Sequence, residues 1–207
     1  MPNILLKRRS VDGNAPGSIS IQNDAELADA VREAGELLQQ IQDYVGREFH
    51  KQAKVRFPRG FLRTAQQART RIPFLPDSNF KSNLSYAMML SDVQHWLLAR
   101  TDISGTAKEM VIKLQIFLLG TMAESISKVH LHGKCGGNYK RRTEYMFEQK
   151  MLTWQVKEEL DWLWDMRNLM HLFQVDEHEW LSTNYTVMNH NRAVKALRSL
   201  TEAFSNV

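Results

Sequence analysis

Residues 160–173 read Leu160-Asp-Trp-Leu-Trp-Asp-Met-Arg-Asn-Leu-Met-His-Leu-Phe173, and nine of these fourteen are apolar. An element with so few polar positions reads as a helix buried on most of its circumference. At 100° per residue, Leu160, Leu163, Trp164, Arg167 and His171 share one face, while Trp162, Met166, Leu169, Met170 and Phe173 cover most of the remainder. Asp161, Asp165 and Asn168 leave only a narrow polar strip beside it. An unpaired buried guanidinium is costly, so Arg167 at the centre of this face implies an interface, a cavity or a structural ion pair with a neighbouring helix.

The same periodicity extends outward. Asn23 or Asp24 caps a first amphipathic helix whose stripe is Leu27, Val31, Ala34, Leu38, Ile41 and Val45, expected to run to about Ala53. Phe57-Pro-Arg-Gly60 interrupts it, and a short helix fits before Pro73 and Pro76. Asp77 or Ser78 opens a long helix to about Arg100. Ser104-Gly-Thr-Ala then opens another, with Val111, Leu114, Leu118, Met122, Ile126 and Val129 as its stripe. Glycines at Gly133-Lys-Cys-Gly-Gly137 end that helix, and further helices are expected over 140–149, 153–173 and 190–204. Strand alternation is absent, except that residues 180–187 could be extended. The reading is an all-α chain: a flexible tail over 1–22, rich in Ser, Gly, Asn and Pro, and one helical bundle over 23–207.

Composition limits the function classes. The chain has 207 residues, 43% of them apolar and 24% charged, which suits a globular domain. One cysteine, Cys135, rules out an intramolecular disulfide and fits a reducing cytoplasm. The start, Met1-Pro-Asn-Ile-Leu-Leu-Lys-Arg-Arg9, puts its charges after the apolar stretch, the reverse of a signal peptide. The longest uncharged apolar run, 114–123, is about half of the ~20 residues of a membrane span, so no membrane association is expected.

Between Phe49 and Pro76 stand Lys51, Lys54, Arg56, Arg59, Arg63, Arg69 and Arg71 without one Asp or Glu, interleaved with Phe57, Phe61 and Phe74. Such charges can neutralise phosphates, and the rings can stack on unpaired bases. A solvated basic face and a contact for an acidic partner protein remain equally open. His130-Leu-His132-Gly-Lys-Cys135 offers two imidazoles and a thiol but lacks the fourth ligand of a structural zinc site. Asp92-Gln-Val-His95 is a single carboxylate–x–x–His step where a di-iron bundle uses two. No metal and no cofactor are expected.

Arg167-Asn168-Leu-Met-His171, late in a helix and following Glu158-Glu-Leu-Asp-Trp-Leu-Trp-Asp165, resembles the motif of the HEPN superfamily, in which an arginine precedes a histidine near a helix end. The likeness covers about residues 80–205, including His190-Asn-Arg-Ala-Val-Lys-Ala-Leu197. Three residues separate Arg167 and His171, a shorter form than is usual there. The resemblance implies a helical bundle that forms a homodimer with Arg/His pairs facing one another, and a metal-independent endoribonuclease, in a defence or toxin-like setting with a possible regulatory partner protein. In that reading His171 moves protons, Arg167 stabilises phosphoryl charge and Asn168 orients the phosphate or the histidine. The seven basic residues from Lys51 to Arg71 would hold the RNA. The alternative is a HEPN-like module that binds nucleic acid or protein without catalysis.

Overall fold

The computed structural model describes residues 20–169 and 183–205. The described residues form seven helices and no strand. The chain divides into two units, Met1–Phe57 and Pro58–Val207. The expected tail falls mostly outside the described residues, as does Met170–Phe173 of the segment quoted above.

The first unit is built on α1, Asp24–Val45. Asn23 caps it by accepting from the Glu26 amide, and Asp24 and Glu26 complement the positive end of the helix dipole. The expected continuation to Ala53 does not form. Gly46 takes a φ of 64°, left-handed backbone that glycine adopts without steric cost, and its amide closes on the Gln42 carbonyl. None of the α1 residues is buried, and its stripe residues Leu27, Val31, Leu38 and Ile41 are all exposed.

The second unit holds the core. A capping box between Thr64 and Gln67 starts the short α2, Ala65–Arg69. Asp77 caps α3, Ser78–Arg100. Next come α4, Gly105–His130, and α5, Tyr139–Glu148, the latter capped by Asn138. Thr153 caps α6, Trp154–Asn168, and α7 spans Val187–Ser205. The starts at Asn23, Asp77 and Thr153 were legible because caps are local chemistry, whereas Ser104 caps α4 without a side-chain hydrogen bond and α7 begins at Val187, ahead of the expected residue 190. The expected end of α6 at Phe173 is not: Asn168 is its last residue and Leu169 its C-cap.

Helix α4 is the axis of this unit and packs against α3, α5, α6 and α7. It is long and apolar enough to cross a membrane by length and composition alone, yet more than half of its most apolar window is buried in the bundle. Its core residues Ile112, Ile116, Leu119, Ala123 and Ile126 meet Leu160 and Leu163 of α6 and Ala193, Leu200 and Phe204 of α7 in one cluster. Phe204 stacks on His130 at 4.0 Å and lies against Phe74 at 5.6 Å, which ties the last helix to the loop before α3.

The approach of α6 to α4 depends on one glycine. A Cβ at Gly120 would stand 2.7 Å from Arg167 Cβ and 3.3 Å from the Leu163 carbonyl oxygen. Gly120→Ala should therefore destabilise the protein by about 1–3 kcal/mol, the usual cost of overpacking, despite alanine's better helix propensity. Gly35→Ala in α1, where an added Cβ meets nothing within 4 Å, should raise helicity instead. Urea unfolding followed by circular dichroism checks both, and equal effects at the two sites would contradict the packing account.

Candidate functional site

The motif arginine sits in the last turn of α6, facing α4. Its Nη2 pairs with Glu124 Oε2 of α4 at 3.0 Å, and Nη1 donates to Asn168 Oδ1 at 3.0 Å. The guanidinium carbon lies 4.8 Å from the Trp164 ring centroid and 5.9 Å from that of Phe117. Trp164 is itself stacked on Tyr139 at 4.7 Å, so the cation rests on a two-ring platform. Arg167 Nε is buried without a partner. Arg167 and Glu124 side chains each keep 26% of their exposure, so the pair is neither sealed nor fully wet. Asn168, expected to orient a phosphate or the histidine, here orients the arginine. His171 lies outside the described residues.

The expected RNA-binding set is divided between the two units. Lys51, Lys54 and Arg56 belong to the first and are exposed, with Lys54 Nζ 5.3 Å from the Phe49 ring centroid. Arg59, Arg69 and Arg71 belong to the second and are also exposed, although Arg69 Nε donates to the Ala65 carbonyl at 3.1 Å. Arg63 differs from all of these. Its Nε reaches Asp92 Oδ2 at 2.8 Å, its Nη2 reaches Oδ1, and its backbone amide donates to Oδ2 at 2.9 Å. A guanidinium committed to a largely buried carboxylate is not available to a phosphate.

This pair belongs to a site that sequence reasoning missed. Asp92 and His95 of α3, Gln115 and Leu119 of α4, and His190 of α7 border one cavity of about 400 Å³ that Arg63 and Arg71 also line. His95 stacks on Phe61 at 5.8 Å and runs nearly parallel to His190 at 6.1 Å. Burial holds His190 below the ordinary histidine range, with the His95 charge acting in the same direction against the Asn191 hydrogen bond. Burial alone would raise the Asp92 carboxyl, but hydrogen bonds from Arg63 and the charges of Arg63 and Arg71 hold it below its ordinary 3.8. Asp92-x-x-His95 was visible as a motif, whereas His190 comes from the far end of the chain. Among the described residues, no three His, Cys, Asp or Glu side chains are grouped so as to hold a metal. His130 packs on Phe204 and Phe74 and is held below the ordinary range by burial and then by Lys134.

Comparison of the chain with protein-family models, curated proteins and solved structures gives no match.

The Arg63–Asp92 pair has a defined pH signature. Because the folded carboxyl titrates below its unfolded value of 3.8, the stabilisation is complete above that value and is lost as pH falls through the folded one. Asp92→Asn should destabilise the protein by ~3 kcal/mol at neutral pH, since it leaves Arg63 partly buried without its counter-charge. The gap between wild type and variant should narrow below about pH 3.8. Urea melts between pH 3 and 7 check this, and a gap constant across that range would assign Asp92 no special role.

Proposed function

We propose that the chain is a HEPN-like endoribonuclease that cleaves RNA without a metal, with Arg167 and His171 at the reacting phosphodiester. The observation that supports it is the setting of Arg167: a partly exposed side chain whose guanidinium is fixed by Glu124 and Asn168 on the Trp164 face, late in a helix. A preorganised guanidinium offers planar donors to phosphoryl oxygens without reorganising when charge develops on them. Glu124 holds the fork at Nη2 and Asn168 at Nη1, and the side chain as a whole keeps 26% of its exposure. His171, four positions on in sequence, is assigned its proton-transfer role by the motif alone.

In this reading the RNA 2′-hydroxyl loses its proton to a base and its oxygen attacks phosphorus. The bond to the 5′-oxygen breaks, and that oxygen takes a proton from an acid. The products are a 2′,3′-cyclic phosphate and a 5′-hydroxyl. Histidine serves either proton step because its ordinary pKa lies close to neutrality. Lys51, Lys54, Arg56, Arg59, Arg69 and Arg71 supply the salt-dependent hold on the RNA backbone, with Arg63 playing a structural part through Asp92. The assembly proposed with this activity is a homodimer.

The Arg167–Glu124 contact also favours a second reading, in which the arginine neutralises a carboxylate on α4 and the bundle binds nucleic acid or protein without cutting. Cleavage assays separate the two. Wild-type protein should cut RNA in EDTA, leave a 2′,3′-cyclic end and spare a substrate with a 2′-deoxy sugar at the cut. His171→Ala should lower the rate by ~10²–10⁴-fold with the fold intact, and Arg167→Lys should also be poor because an ammonium cannot copy the planar fork. Absence of cleavage by folded wild type, or cleavage unchanged in His171→Ala, would leave the non-catalytic reading.

A further inference from the structure

The apolar stripe of α1 has no cover within its own chain. None of the α1 residues is buried, and Val31 and Leu38 are 62% and 50% exposed. Protein helices draw most of their stability from packing an apolar face, which this helix of 22 residues does not do alone. A groove of about 480 Å³ also opens between residues 50–55 and Leu37, Ile41, Tyr44 and Val45.

The spacing of the stripe points to what covers it. Leu27, Val31, Ala34, Leu38, Ile41 and Val45 follow one another at intervals of four, three, four, three and four residues. That is the heptad repeat of a coiled coil, with Val31, Leu38 and Val45 at a and Leu27, Ala34 and Ile41 at d. The flanking e and g positions are Ala28, Ala30, Gly35, Leu37, Gln42 and Tyr44, none of them charged. Every charge between Leu27 and Val45 falls at b, c or f, on the outside: Asp29, Arg32, Glu33, Glu36 and Asp43. Coiled coils select a foreign helix by opposite charges at e and g, and α1 carries no such code. A two-fold axis, by contrast, sets this seam against itself without bringing like charges together. Six carboxylates against one arginine on the helix also disfavour an anionic lipid surface.

We propose that α1 pairs antiparallel with α1 of a second copy of this chain. About an axis beside residue 36, Leu27 meets Val45 of the second copy, Val31 meets Ile41, and Ala34 meets Leu38. The small Ala34 thus faces a large side chain, and the layers have similar volumes. A parallel pair would set Ala34 on Ala34, leaving a thin layer, and Asp24, also at a, on its own charge. In the antiparallel pair the groove beside Ile41 and Val45 receives Leu27 and Val31 of the second copy. The contact lies wholly in the first unit, so it is distinct from any assembly at Arg167 and does not rest on the ribonuclease reading.

Sedimentation of the full chain from micromolar to near-millimolar concentration, together with directed crosslinking, tests the pairing. Val31→Glu combined with Leu38→Glu should halve the mass of the wild-type assembly. The α1 dissociation constant should rise at least ~100-fold, because each lost apolar contact counts twice about the axis. The helices of the second unit should persist by circular dichroism, since α1 contributes no buried residue. In a Cys135→Ser background, Leu37→Cys lies beside the axis and should join its twin on air oxidation. Val31→Cys should not, because the antiparallel offset of ten positions holds the two thiols about 15 Å apart. A monomeric wild type, or a mass unchanged in the double variant, would overturn the proposal and leave the seam to another protein. A disulfide through Val31→Cys and none through Leu37→Cys would overturn the antiparallel arrangement.

Discussion

The second unit is organised by the need to answer polar groups on a helix that water barely reaches. Buried residues of α4 include Lys113, Gln115 and Ser127, and Glu124 is half-buried beside them. Each neighbour brings a matching group. Ser91 of α3 accepts from Gln115, and Arg142 of α5 donates to the Ser127 hydroxyl at 3.2 Å. Arg167 of α6 meets Glu124, and the Tyr185 ring covers the Lys113 ammonium at 5.5 Å. Apolar contact could hold these helices in many registers, whereas each polar match fits only one. The cost of breaking any of these matches favours the register that makes them.

The contact between α5 and α6 follows the same logic at the edge of the core. Lys157 is largely buried and reaches Asp161 at 3.0 Å and Glu144 at 3.3 Å, while Thr143 donates to the other Asp161 oxygen at 2.6 Å. Burial alone would lower the Lys157 ammonium, but the hydrogen bond and charge of Asp161, joined by Glu144, outweigh it and raise the group above its ordinary value. Arg192 of α7 joins Glu159 of α6 and lies 4.0 Å from the Trp162 ring centroid. The helices are thus cross-tied by charges that are shielded by rings, which explains why this segment is rich in tryptophan.

Local chemistry was legible in the sequence and distant pairing was not. Asn23, Asp77 and Thr153 announced their helices because a cap acts on amides two or three residues away. The end of α1 was misplaced because apolar spacing continues past the left-handed Gly46, and spacing carries no information on φ. Arg167 was recognised as needing a partner, yet nothing in the run 160–173 could point to Glu124. Arg63 read as one of seven interchangeable cations, while its role is set by Asp92 across 29 positions. The cavity was invisible for the same reason: its two histidines meet only once α3 and α7 have packed.

The position of Phe204 bears on how the protein is made. Among the described residues every buried apolar one lies between Ala68 and Phe204, and the final contributions, Ala193, Ala196, Leu200 and Phe204, come from α7. A chain emerging from the ribosome can form α3 and α4 early and cover part of α4 with α5 and α6, but the faces that meet α7 stay uncovered until α7 follows. Synthesis must pass Phe204 before His130 and Phe74 gain the ring that closes over them. In that interval the nascent chain displays the apolar surface that chaperones bind and that drives aggregation. Truncation within the last turns of α7 would leave it in that exposed state permanently.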